Sequence, residues 1–223
     1  MNNPWVIITG GTGGIGKKLC SHAASSGFRV AIGYRRNRSE AETLARDHDG
    51  EAVALDLCAP DQIDSVVARF SSELVKAVIL NASPPLEIKP FIEATGGAFH
   101  RQFEVTVVGH HRLLAGLIKS CFRPTKTGTV VAVLTKAMGD MKKPAMKDVS
   151  VYIAAKYGLL GLVVAARAEH PWLKVETVSP GFTDTPMLDA FNPRFVELLR
   201  EQGMLSDPDV VAKEIISKIA SSG

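Results

Sequence analysis

Short apolar runs alternate along this chain with longer stretches whose apolar residues recur every three or four positions. The first kind reads as buried strand and the second as helix packed by one face. Residues 5–9 form an apolar run stopped by glycines, a first strand. Residues 14–25 follow with Ile15, Leu19 and Ala23 on one helical face. Strand patterns recur at 29–34, 51–55, 75–80, 128–134 and 173–178. Helical patterns fill 39–48, 61–71, 98–121 and 149–169, and a last helix opens at Ser206-Asp207-Pro208 and ends near Ala220. Ser39 with Glu42 three residues later predicts a capping box at the start of the second helix. A loop rich in Pro and Gly spans 82–97.

Apolar strands that alternate with helices predict an α/β fold, a doubly wound parallel sheet covered by helices on both faces, with right-handed crossovers. No repeat, low-complexity tract or linker divides the 223 residues, so one domain over 1–223 is expected. The composition, 46% hydrophobic and 22% charged, is that of a globular chain with a real core. The net charge of +3 is too small and scattered to argue for nucleic acid. The longest apolar run, Gly158 to Ala166, falls short of the ~20 residues of a membrane span. No signal peptide is expected, and Cys20, Cys58 and Cys121 read as reduced thiols, packed as small core residues. A cytoplasmic protein is expected.

Three places carry chemistry. The segment Thr9-Gly10-Gly11-Thr12-Gly13-Gly14-Ile15-Gly16 lies between the first strand and its helix. Its glycines permit a tight turn and close backbone approach, and the helix N-terminus offers free N–H groups to a pyrophosphate. Second, the sequence after the second strand, Tyr34-Arg35-Arg36-Asn37-Arg38, holds no acid before Glu40. An acid there favours a ribose 2′-hydroxyl, whereas a guanidinium pairs with a 2′-phosphate. Arg35 and Arg36 therefore predict NADP(H). Lys17 and Lys18, in the first helical turn, are expected to be solvated and within reach of a phosphate. Third, Tyr152 and Lys156 are four residues apart on one helical face. A nearby ammonium favours the phenolate, and such a tyrosine can exchange a proton with a carbonyl oxygen.

Together these segments resemble the short-chain dehydrogenase/reductase family over nearly the whole chain. Thr9, Gly10, Gly14 and Gly16 match its T-G-x-x-x-G-x-G loop. Asp56, followed by Leu57, matches the acid that meets the adenine ring, and Asn81-Ala82-Ser83 resembles its N-A-G. Tyr152 and Lys156 match its catalytic pair, and Pro180-Gly181-Phe182-Thr183-Asp184-Thr185 its P-G-x-x-x-T. The Tyr-Arg-Arg stretch and the segment 207–212 resemble the subgroup of 3-oxoacyl-carrier-protein reductases. The resemblance implies that Tyr152 is the general acid of carbonyl reduction. Lys156 would hold the nicotinamide ribose and depress the Tyr152 pKa. Thr135 takes the place of the family serine that polarises the carbonyl, and Thr106 that of the asparagine of its proton relay. Thr12, Ile15, Gly181 and Thr183 fall within the cofactor segments. The family's usual last strand is not found before Ser221-Ser222-Gly223, and a dimer through the two long helices, or another homo-oligomer, is expected.

The sequence thus predicts an NADPH-dependent reductase of a small carbonyl compound, free or carried on an acyl carrier protein. The second reading is a catalytically weak NADP(H)-binding sensor or scaffold subunit, motivated by Thr106, Thr135 and the last strand not found. Residues 182–205 are expected to form a substrate lid with Phe191, Phe195 and Leu198 facing inward. Met138, Met141, Met146, Met187 and Met204 flank the site, lining a pocket or packing loops. His110 and His111 are adjacent on a helix, a poor metal pair, and are expected at solvent or an interface. His22, His48, His100 and His170 have no ligand spacing, and no metal is expected.

Overall fold

The computed structural model describes residues 3–140 and 142–220. Expectations for Met1, Asn2, Met141 and the end at Ser221–Gly223 lie outside the described residues. Six strands, β1 (Trp5–Ile8), β2 (Arg29–Tyr34), β3 (Glu51–Ala54), β4 (Val75–Leu80), β5 (Thr129–Val133) and β6 (Lys174–Val178), pair in parallel in the order β3-β2-β1-β4-β5-β6. The helices between them are α1 (Gly14–Ser25), α2 (Arg38–Asp47), α3 (Pro60–Phe70) and then α4 (Gly96–Phe103), α5 (His110–Leu117) and α6 (Arg123–Thr125). After β5 come α7 (Ser150–Glu169), α8 (Pro193–Glu201) and α9 (Pro208–Ala220).

Successive side chains of a strand point to opposite faces, and both faces here are covered. Trp5, Ile7, Val78, Leu80, Val130 and Ala132 pack in one core with residues of α3, α5 and α7. Val6, Ile8, Ile79, Val131 and Val133 pack in the other with residues of α1 and α9. This is the doubly wound sheet expected. β1 lies between β2 and β4, so the chain leaves it on one side and returns on the other. A crevice therefore opens at the carboxyl ends of these strands, where open α/β sheets bind ligands.

Local differences from the sequence reading have clear causes. The second helix begins at Arg38 with Asn37 as its N-cap, and no side chain caps it. Ser39 is inside the first turn, so the capping box does not form. The stretch 96–125 is continuous but not uniformly α: π-helical turns at Glu104–Gly109 and Ile118–Phe122 join α4, α5 and α6. Cys58 is exposed, whereas Cys20 and Cys121 are buried, and all three are free thiols. An 18-residue window of α7 has a mean hydropathy of 1.4, so by length and composition alone the helix is apolar enough to cross a bilayer. What places α7 is packing: Val151, Ala155, Leu159 and Val163 are buried against the sheet and α4.

Candidate active site

The glycine loop joins β1 to α1 at the head of the crevice. Gly10 has φ +65°, a left-handed conformation that favours glycine. A Cβ on Gly16 would stand 2.1 Å from the Gly10 carbonyl oxygen, so only glycine lets the helix close on the loop. α1 begins after Gly13 with no capping side chain and no acid in its first turn. Its first N–H groups, with the positive end of the helix dipole, are arranged for an anion.

A buried network holds this loop to the end of β4. The Thr9 hydroxyl oxygen accepts from the N–H groups of Asn81 and Ala82, both at 2.9 Å. The Asn81 side-chain amide donates to the Thr9 and Gly10 carbonyls. His110 completes the network. Its Nδ1 is 3.0 Å from the Thr106 carbonyl, and its Nε2 is 3.0 Å from the Thr9 hydroxyl. A carbonyl only accepts, so Nδ1 carries the proton and Nε2 accepts from Thr9. A second ring proton would meet a hydroxyl oxygen that already accepts twice. Burial, reinforced by the Lys156 charge, pushes His110 down to about 4, so the ring is neutral. His110 is thus fully buried rather than at solvent or an interface, and sequence reasoning missed it. The cause is the π-turn at Glu104–Gly109, which shifts the helical phase: Thr106 and His110 turn inward and Val108 outward.

One cavity of about 870 Å³ runs along the crevice. At one end it is lined by Gly10, Thr12, Gly14 and Ile15 of the loop, by Lys17, and by Arg35 and Arg36 beyond β2. Neither arginine makes a salt bridge among the described residues, whereas Lys17 pairs with Glu40. Lys18 lies 3.8 Å from Asp209, on another surface. Asp56 and Leu57 after β3, and Asn81, Ala82 and Ser83 after β4, line the middle. Asp56 is held by its own turn, with Oδ1 accepting from the Cys58 N–H. Pro180, Gly181, Thr183 and Thr185 line the facing wall. A Cβ on Gly14 would stand 2.5 Å from Thr185 Cγ2, so the loop and this wall nearly touch. Thr9 and Gly16 lie behind the lining. The open helix N-terminus and the buried, unpartnered Ser83 hydroxyl suit a dinucleotide.

Thr135, Tyr152 and Lys156 stand together at the other end of the cavity. Burial pushes the Tyr152 phenol up to about 12, while a hydrogen bond with the Thr135 hydroxyl pulls it the other way. Lys156 is buried, donates from Nζ to the Val133 carbonyl at 2.7 Å, and lies 5.5 Å from the centre of the Tyr152 ring. Burial lowers it to about 8. The expected depression of Tyr152 by Lys156 is therefore corrected: desolvation of the phenol dominates, while the ammonium gives one of its three N–H groups to a backbone carbonyl. Thr106 does not reach the cavity. It is buried, and its hydroxyl has no hydrogen-bond partner.

A family model described as short chain dehydrogenase matches residues 4–194. The chain belongs to the short-chain dehydrogenase family. Within that family, the 3-oxoacyl-(acyl-carrier-protein) reductase FabG of Aggregatibacter actinomycetemcomitans is 26% identical over 221 residues, 94% of this chain and 89% of that protein. A 3-ketoacyl-(acyl-carrier-protein) reductase of Brucella melitensis, solved with NADH, matches with a TM-score of 0.84 at 23% identity, over 98% of this chain and 91% of that one. An actinorhodin polyketide ketoreductase solved with NADPH gives 0.84 at 20% identity, over 97% and 90%. These two structures share the fold.

In this short-chain dehydrogenase, segment 182–205 holds a 3-10 turn at Pro186–Ala190 and α8, and Phe182, Pro186, Met187 and Leu188 from it line the cavity. Phe182, Phe191 and Phe195 form a ring cluster with centroids 5.6–5.9 Å apart, and Phe191 lines the cavity. Leu198 is exposed instead of inward; Leu199 is the buried neighbour. Of the methionines, Met146 and Met187 line the cavity, Met138 is buried and Met204 is exposed.

Proposed function

We propose that this short-chain dehydrogenase is an NADPH-dependent reductase that converts a carbonyl to an alcohol. The observation that carries the reading is the single cavity that joins an open helix N-terminus, two unpaired guanidinium groups and the Thr135, Tyr152 and Lys156 side chains. Arg35 and Arg36 pair with the 2′-phosphate. The loop from Thr9 to Gly16 holds the pyrophosphate, and Asp56 and Leu57 border the adenine. Asn81, Ala82, Ser83, Pro180, Gly181, Thr183 and Thr185 enclose the nicotinamide half. The bound NADPH supplies the hydride. Thr135 donates a hydrogen bond to the carbonyl oxygen, and Tyr152 delivers the proton to it. A phenol pushed up to about 12 stays protonated at neutral pH, the form a general acid needs for reduction. Lys156 holds the nicotinamide ribose beneath Tyr152.

Residues 182–205 act as the lid of this one domain. The protein works in the cytoplasm, in keeping with its free thiols. Val108, Tyr157 and Val164, exposed on the two long helices, support a homodimer through that face. A cofactor-binding subunit without turnover is the second reading. It is favoured by Thr106, whose buried hydroxyl has no partner where the family has its relay asparagine. Titration with NADPH and NADH, then turnover on ketones and 3-oxoacyl thioesters, separates the two. The reductase binds NADPH more tightly, and its turnover falls about 100- to 10,000-fold in Tyr152→Phe while NADPH still binds. Binding with no turnover on any ketone would leave the subunit reading.

A further inference from the structure

Beyond Thr135 and Tyr152 the cavity wall is apolar, built from Pro84, Pro85, Leu86, Met146, Met187 and Phe191. Among the described lining residues, one charged side chain stands at this end: Lys136. The other charged lining residues are Lys17, Arg35, Arg36 and Asp56 at the dinucleotide end, and Lys156, whose Nζ is engaged by the Val133 carbonyl. No carboxylate lines the substrate end.

Lys136 is anchored at its root and free at its tip. Its N–H donates to the Pro180 carbonyl at 2.8 Å. Its stem runs beside Gly181, where an added Cβ would stand 3.6 Å from Lys136 Cδ. The residue is exposed and makes no ion pair among the described residues. Lys142, Lys143 and Lys147 are exposed on the loop whose Pro144, Ala145 and Met146 line the same mouth. The same stretch carries two acids, Asp140, whose Oδ1 accepts the backbone N–H groups of Lys142 and Lys143, and the exposed Asp148, against the four lysines. The mouth is therefore positive. An unpaired ammonium at the edge of an apolar wall attracts an anion more strongly than one surrounded by water.

We infer that the substrate carries an anionic group, a carboxylate or a phosphate monoester, and that Lys136 is the residue that selects for it. Between the anion and the reacting carbonyl the substrate is apolar, to match the Pro84–Leu86 and Met187 walls. The inference rests on the reductase reading and names its substrate class.

The test compares three ketones of equal length, ending in a carboxylate, a phosphate or a methyl group. Each is assayed by NADPH oxidation with the wild-type protein, Lys136→Met and Lys136→Glu. In parallel, calorimetry measures binding of the carboxylate-ended alcohol and its methyl-ended counterpart to the NADP⁺-loaded proteins. The wild type prefers an anionic ketone by about tenfold or more, chiefly through KM. Lys136→Met removes that preference, and Lys136→Glu reverses it. The larger of the carboxylate and phosphate effects identifies the anion. Equal use of charged and neutral ketones by the wild type overturns the inference, as does a preference that survives in Lys136→Met. A preference confined to a thioester on an acidic carrier protein, dependent on Lys142, Lys143 and Lys147 but not on Lys136, overturns it as well. If no ketone is reduced, the reductase reading fails, and calorimetry decides alone. Tighter, Lys136-dependent binding of the carboxylate sustains the inference; equal binding ends it.

Discussion

Lowering the pH destabilises this protein in part through His110. The ring is fully buried, and its pKa falls from the ordinary 6.5 to about 4 because burial disfavours the charged form and the Lys156 charge adds to that. Between those two values the unfolded chain binds more protons than the folded one, so stability rises with pH across that window. The contribution is complete above pH 6.5 and is lost as the pH falls toward 4. The gap corresponds to about 3 kcal/mol, of which roughly 2.5 kcal/mol is gone by pH 4.5. Urea denaturation of the wild type and of His110→Gln at pH 7.5 and 4.5 isolates it, since every other titrating group is shared and cancels in the difference. At pH 7.5 the variant is less stable by about 1–3 kcal/mol, because the Thr106 carbonyl and the Thr9 hydroxyl lose well-placed partners. At pH 4.5 that deficit shrinks by roughly 2.5 kcal/mol, since glutamine has no proton to gain. Parallel pH dependences in the two proteins would refute the reasoning and put His110 in contact with water.

Gly16→Ala places a Cβ against the Gly10 carbonyl, so the glycine loop shifts and NADPH binds at least about tenfold more weakly, read by fluorescence titration. Replacing Arg35 and Arg36 together by Ala collapses the preference for NADPH over NADH by about tenfold or more, measured as the ratio of the two dissociation constants. An unchanged ratio would mean the guanidinium groups are only solvated. Phe70→Ala removes a fully buried ring packed edge-on against Trp5 at 5.1 Å, and chemical denaturation should register a loss of about 3–5 kcal/mol.

What the sequence makes legible here is what its periodicity encodes. Strands of four to six residues, mostly buried in the four central ones and separated by one-faced helices, leave little choice but a covered parallel sheet. The glycine loop was equally plain, because turn, close approach and helix start all demand the same residue type. What escaped notice depends on phase or on three-dimensional neighbours. His110 is buried against expectation because the π-turn at Glu104–Gly109 breaks the 3.6-residue period. Leu198 and Leu199 differ by a single step in α8, which periodicity alone places ambiguously. The upward shift of Tyr152 follows from its burial, which a spacing of four residues does not encode.

The placement of β1 between β2 and β4 has a kinetic consequence. The N-terminal βαβ half forms from neighbours in the chain, but the crevice exists only after β4 joins β1, as the hydrogen bond from the Thr9 N–H to the Ile79 carbonyl does. Such a closure is slow, since chain entropy is lost before the contacts form. The glycine loop stays incomplete until Asn81 arrives to bind its carbonyls. A nucleotide can therefore recognise only the fully threaded chain, and by mass action it draws unfinished molecules toward that state. The cofactor of such a protein is also a late witness to its assembly.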